Sequence, residues 1–136
     1  MSDAPDESPQ QRSRRVLTLI QDWKVPTAAQ PMVLGLPESV RYRHLERYRD
    51  TTPLPDDEQV QVRVEHLLGI DEALYTTFPR NPTMGALWMR SKCRHLGGRK
   101  PMDVLLEDGL NGLIEIRSHL DCAYEWEQDE KKSQQH

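Results

Sequence analysis

Proline and glycine punctuation constrains this chain most. Ten prolines and seven glycines cut its 136 residues into short lengths, and within each length the apolar residues recur at helical spacing. Val16, Leu17, Ile20 and Trp23 fall at i, i+1, i+4 and i+7, one stripe of an amphipathic helix that starts at Arg12 and stops before Pro26. Thr27 followed by Gln30 reads as the capping box of a short second helix, with Pro31 forcing a late start or a bend and Gly35 as its C′ residue. Pro37 suits the first turn of a third helix, Glu38 to about Asp50, with Val40, His44 and Tyr48 inward and Ser39, Tyr42, Arg43 and Glu46 outward.

Residues 51–57, with Pro53 and Pro55, read as a linker. A long periodic stretch follows, with Val60, Val64, Leu67, Leu68, Leu74, Tyr75 and Phe78 on one face and Gly69 as a possible divide. Pro79 and Pro82 bracket a turn before a helix around Leu87, Trp88 and Met89. Gly97 and Gly98 break the pattern, Pro101 starts a short helix, and Gly109 and Gly112 mark a further break. The last helix carries Leu113, Ile114, Ile116, Leu120 and Tyr124. Only Val60, Val62 and Val64 alternate with period two, so the expected class is all-α: an N-terminal helix-turn-helix bundle followed by a small helical domain. The expected divisions are a disordered tail over 1–11, the bundle over 12–50, the linker, a linking helix and second domain over 58–126, and a flexible tail over 127–136.

Charge separates the two halves. The net charge of −4 is the balance of −3 over residues 1–11, +4 over 12–50 and −5 beyond, so a basic module precedes an acidic one and the two suit different partners. No apolar run approaches the ~20 residues that cross a bilayer, and residues 1–15 are polar rather than signal-like, so a cytoplasmic protein without a membrane role is expected. Two cysteines make no disulfide framework.

Helix, short helix, glycine turn and helix in this order is the helix-turn-helix arrangement. Leu17, Ile20, Trp23, Met32, Leu36 and Val40 supply the apolar lock. Ser39, Tyr42 and Arg43 are placed to reach base edges, and Arg41, Arg47 and the Arg12/Arg14/Arg15 cluster to meet phosphates. The plain alternative is a three-helix bundle whose arginines only solvate a face. One such unit binds DNA weakly, so a homodimer is expected on operator DNA.

Catalytic constellations are missing from the sequence: there is no G-x-S-x-G, no H-E-x-x-H and no phosphate loop. Cys93, His95, His119 and Cys122 are a zinc candidate in residue type, but C-x-H paired with H-x-x-C is not a common zinc spacing. The segment Gly97-Gly98-Arg99-Lys100-Pro101 opens a helix and reads either as an anion cradle or as a tight turn. The expectation is a non-enzyme with no metal and no cofactor.

Leu67-Leu68-Gly69-Ile70, Ala73-Leu74, Phe78-Pro79, Trp88-Met89, the run Gly97-Gly98-Arg99-Lys100-Pro101-Met102-Asp103-Val104-Leu105, and Leu113-Ile114-Glu115-Ile116-Arg117 to Leu120-Asp121 resemble, in order and spacing, the Xre/MbcA/ParS antitoxin family. The first half is similar to that family's Xre-type helix-turn-helix through Trp23, Leu34-Gly35 and Ser39. The resemblance implies a type II antitoxin that neutralises a RES-domain, NAD-consuming toxin by blocking its active site and represses its own operon as a dimer. It puts the toxin contact on Arg99, Tyr124, Glu125, Trp126 and Glu127. The two aromatics suit a pocket built for a nucleotide ring, and the carboxylates suit arginines that hold pyrophosphate. A stand-alone dimeric helix-turn-helix regulator is the competing reading.

Overall fold

A computed structural model describes residues 7–81 and 83–134, with the side chains of residues 122–134 excepted. The described residues form helices and no strand, so the all-α expectation holds. Six α-helices occur among them: α1 (Pro9–Asp22), α2 (Gln30–Val33), α3 (Leu45–Asp50), α4 (Glu58–Thr77), α5 (Thr83–Met89) and α6 (Pro101–Gln134). The chain divides into two compact units at Glu65 and His66, inside α4.

In the first unit, α1 starts at Pro9, inside the segment expected to be a tail. Ser8 caps it: its hydroxyl accepts from the Gln11 amide at 3.1 Å, while Gln11 Oε1 accepts from the Ser8 amide at 2.9 Å. This reciprocal pair satisfies two orphan donors of the first turn, and Pro9 occupies the position where a missing N–H costs nothing. The stripe of Val16, Leu17, Ile20 and Trp23 is buried as the spacing predicts, and each such residue contributes about 1.5–3 kcal/mol of apolar burial. The helix closes at Lys24, which takes a left-handed φ of 67° so that the Val25 amide reaches the Ile20 carbonyl at 3.0 Å. Pro26 lies beyond that closure rather than causing it.

The expected Thr27/Gln30 capping box does not form. Residues Thr27–Ala29 make a 3-10 turn without a side-chain cap, and Gln30 instead turns inward, donating from Nε2 to the Val25 carbonyl at 2.9 Å. α2 starts late, as Pro31 dictates, and ends with Gly35 at φ 77°. There the Gly35 amide bonds Met32 O at 2.9 Å and the Leu36 amide bonds Pro31 O at 3.0 Å, the two bonds of a Schellman ending. A Cβ on Gly35 would also lie 2.7 Å from the Gln59 carbonyl of α4, so close approach as well as φ demands glycine here.

A strap of polar bonds ties the rest of the unit to α1. Buried Ser13 donates to Pro9 O at 2.9 Å and accepts from the Leu54 amide at 2.7 Å, seating buried Leu54 of the linker. Gln10 Nε2 donates to the carbonyls of Tyr48 and Arg49 at 2.8 and 2.9 Å, and Arg14 Nε donates to Arg49 O at 3.2 Å. These donors cap the C-terminal carbonyls of α3.

In the second unit, α4 runs unbroken through Gly69, which does not divide it; a Cβ there would collide with the Arg117 guanidinium. Ile70 is buried, while Tyr75 is 66 % exposed and off the core face. Asn81 starts α5, its Oδ1 accepting from the Thr83 hydroxyl at 2.7 Å; Pro82, the second half of the expected bracket, lies outside the described residues. α6 contains one non-helical residue, Gly109 (φ 59°, ψ −133°). The expected break therefore falls at Gly109 alone; Gly112 is helical, and a Cβ on it would collide with the Val104 carbonyl. Beyond the break Leu113, Ile116 and Leu120 are buried and Ile114 is exposed.

Candidate functional site

The five residues expected to contact DNA do not share one helix. The predicted third helix over Glu38 to Asp50 is replaced by a turn, in which the Val40 amide bonds Pro37 O at 2.9 Å, a 3-10 turn at Tyr42–His44, and the six-residue α3. His44 causes the late start: its Nδ1 accepts the Arg41 amide at 2.9 Å, ending extended backbone at Arg41 and starting the helical turn there. Ser39 thus lies in the Pro37 turn, Arg41 just before the 3-10 turn, Tyr42 and Arg43 within it, and Arg47 on α3; all five are exposed. Leu45, not assigned to the core from the sequence, is its buried anchor, whereas Met32 is 54 % exposed.

Arg41, Tyr42 and Arg43 come together with Pro31, Met32 and Leu36 around a groove of about 880 Å³ in the first unit. Neither Arg41 nor Arg43 makes an ion pair with another described residue. Of the Arg12/Arg14/Arg15 cluster, Arg14 is spent on Arg49 O and Arg15 pairs with Glu7 at 3.4 Å.

In the second unit, the Gly97-Gly98-Arg99 segment is a closed turn. The amides of Gly97, Gly98 and Arg99 bond the carbonyls of Arg94, Cys93 and Leu96 at 3.1, 2.9 and 3.3 Å, and Cys93 N bonds Arg99 O at 3.0 Å. With those donors used internally, the anion-cradle reading fails and the tight turn stands. The Arg99 guanidinium is also committed: it reaches Asp108 at 2.9 Å and Glu107 at 2.5 Å. Hydrogen bonding to Asp108 raises the arginine further above its already high range and lowers the Asp108 carboxyl below the usual carboxylate range. Arg99 thereby ties the turn to the α6 residues that precede the Gly109 break, and it is not a free cation awaiting a partner. The sequence carried a signal for this: Glu107-Asp108 is a carboxylate pair directly before a glycine.

Three of the four zinc candidates do meet. Cys93 Sγ lies 3.6 Å from His119 Nε2, and His119 stacks on His95 (4.9 Å between centroids, 28°) and on Trp88 (6.2 Å, 9°). A metal must lie in the plane of each imidazole that binds it, and stacked rings do not share a plane. Among the described residues no His, Cys, Asp and Glu group is arranged to hold a metal ion; the Cys122 side chain lies outside them. Burial and neighbouring His95 push the His119 pKa below its ordinary value. The stack thus joins α5, the Cys93 turn and α6.

Tyr124, Glu125, Trp126 and Glu127 belong to the helical backbone of α6, which continues to Gln134 through the expected flexible tail; their side chains lie outside the described residues.

The second unit decides the comparison. Residues 73–122 match the family model of the antitoxin Xre/MbcA/ParS C-terminal toxin-binding domain. Over these residues the chain is similar to Xre/MbcA/ParS-type antitoxins. The match runs from the end of α4 to the middle of α6, and so takes in α5, the ring stack, the closed Gly97-Gly98 turn and the Gly109 break. It supports a type II antitoxin with a toxin as partner, and domains of this type are generally not enzymes. No curated protein matches the chain. Among the described residues no helix is long and apolar enough to cross a membrane.

Proposed function

We propose that this antitoxin neutralises a RES-domain, NAD-consuming toxin by occupying its catalytic cleft, and that it represses its own operon as a homodimer. The match of residues 73–122 to a toxin-binding domain carries the reading. The long helix α6 is the element this reading uses. In this reading Tyr124, Glu125, Trp126 and Glu127 make the blocking contact, aromatic rings for the nucleotide subsites and carboxylates for the pyrophosphate-binding cations. Arg99 acts within the domain, holding the turn against α6.

Operator binding rests on the +4 charge of residues 12–50 and on exposed Ser39, Arg41, Tyr42, Arg43 and Arg47. A six-residue α3 is short for a major-groove reader, so contacts from the preceding turn supply most of the interface. The test is removal of residues 124–136 from the chain co-expressed with the toxin. Loss of growth protection is expected; full protection by the shortened chain would show that the blocking segment lies elsewhere.

A further inference from the structure

The groove in the first unit combines an apolar face with the arginines assigned above to the operator. Its walls are Pro31, Met32, Leu36 and Val40, with Met32 54 % and Tyr42 43 % exposed. A phosphate backbone gains nothing from an exposed methionine, whereas a peptide carrying an aromatic anchor does. Around this apolar floor stand Arg41 and Arg43, neither in an ion pair among the described residues, against a single lining carboxylate, Glu38. The matching occupant is therefore an acidic segment with an aromatic residue inside it.

The chain contains one such segment. Tyr124-Glu125-Trp126-Glu127-Gln128-Asp129-Glu130 holds four carboxylates and two aromatics within seven residues, and no other stretch of the sequence combines them. We infer that the groove lined by Met32, Arg41 and Arg43 docks the Tyr124–Glu130 segment of a second copy of this chain. Trp126 or Tyr124 supplies the apolar anchor and the carboxylates face the two arginines, which gives charge complementarity between a basic and an acidic region of the same sequence. Exchange of the segments between two copies closes the pair symmetrically. On the reading above, the same segment enters the toxin, so toxin capture and self-association compete, and toxin exposes the groove arginines.

Sedimentation velocity of the full-length chain over a range of concentrations tests this, with circular dichroism to establish that each variant is folded. The wild type is expected to self-associate. Arg41→Glu with Arg43→Glu, or Glu127→Lys with Asp129→Lys, should each weaken association by about tenfold or more. The fourfold variant joining both reversals should recover most of it, an outcome that misfolding cannot produce. A monomeric wild type, or association unchanged by either reversal, overturns the proposal. Toxin inhibition by Arg41→Glu/Arg43→Glu, measured alongside, stays intact if the blocking reading holds, so the two readings fail separately.

Discussion

Replacing Gly109 by alanine tests the break within α6. Gly109 sits at φ 59° and ψ −133°, a region that residues bearing a Cβ rarely occupy. A Cβ built there meets nothing within 4 Å. Steric overlap with neighbours therefore contributes nothing, and the cost is backbone strain alone, about 1–3 kcal/mol. Helix propensity offers no compensation, since the residue is not helical. For a unit of this size, 1 kcal/mol corresponds to a fall of about 4–8 °C in midpoint. Gly112 gives the contrast. Its backbone is helical, so alanine gains about 1 kcal/mol of propensity, but the added methyl collides with the Val104 carbonyl, and overpacking costs about 1–3 kcal/mol. Gly109→Ala is thus expected to lower the midpoint by several degrees through strain, and Gly112→Ala by at least as much because the carbonyl it meets is backbone, in thermal unfolding followed by circular dichroism at neutral pH. An unchanged or higher midpoint for Gly109→Ala would refute the reasoning, because it would mean that α6 passes residue 109 as a continuous helix.

Other perturbations have equally definite outcomes. Ser13→Ala leaves the buried Leu54 amide without its acceptor and should cost about 1–3 kcal/mol in urea unfolding; Ser13→Thr, which keeps the hydroxyl, separates that loss from a packing effect. Because the His119 pKa is held below its ordinary value, the folded unit resists a proton that the unfolded chain accepts. Stability should accordingly be level above about pH 6.5, the unfolded value, and decline as pH falls below it, and His119→Gln should flatten that part of the profile. An unaltered slope in the variant would remove His119 from the account. Arg99→Ala should leave the midpoint nearly unchanged at high salt, its ion pairs being solvent-exposed, yet increase amide exchange of Gly97 and Gly98; unchanged exchange would mean that the pairs do not hold the turn. Trp126→Ala should weaken toxin inhibition without altering the helix content of the free chain, and unimpaired inhibition would exclude Trp126 as an anchor.

The sequence was readable where a single local force decides. The Val16–Trp23 stripe, Gly35 as a helix end and Pro101 as a helix start follow from periodicity, left-handed φ and the missing proline N–H, and each appears as expected. The Gly97-Gly98 turn followed for the same reason. It was unreadable where a side chain chooses between equivalent partners. Gln30 has the spacing of a capping residue but buries itself against Val25 O, and His44, placed on the wheel as an inward core residue, captures the Arg41 amide and dissolves the predicted third helix. Ser8 and Gln11 are a capping box as plain as Thr27 and Gln30, yet they lay in a polar stretch where no apolar stripe drew attention to them. At the candidate site, Cys93, His95 and His119 were visible only as zinc-type residues at an uncommon spacing, and their meeting depends on a stack with Trp88, distant in sequence from His119. The ion pairs of Arg99 join it to carboxylates eight and nine residues on, a spacing that helical periodicity alone does not bring together across a turn.

On the proposed reading the second unit binds and silences a toxin. Titration of the full-length chain into a purified RES-domain toxin, with NAD consumption as the readout, addresses it most directly. Stoichiometric loss of NAD turnover, reached when antitoxin sites equal toxin sites, is the predicted result. Undiminished turnover at a saturating excess of the folded chain contradicts it.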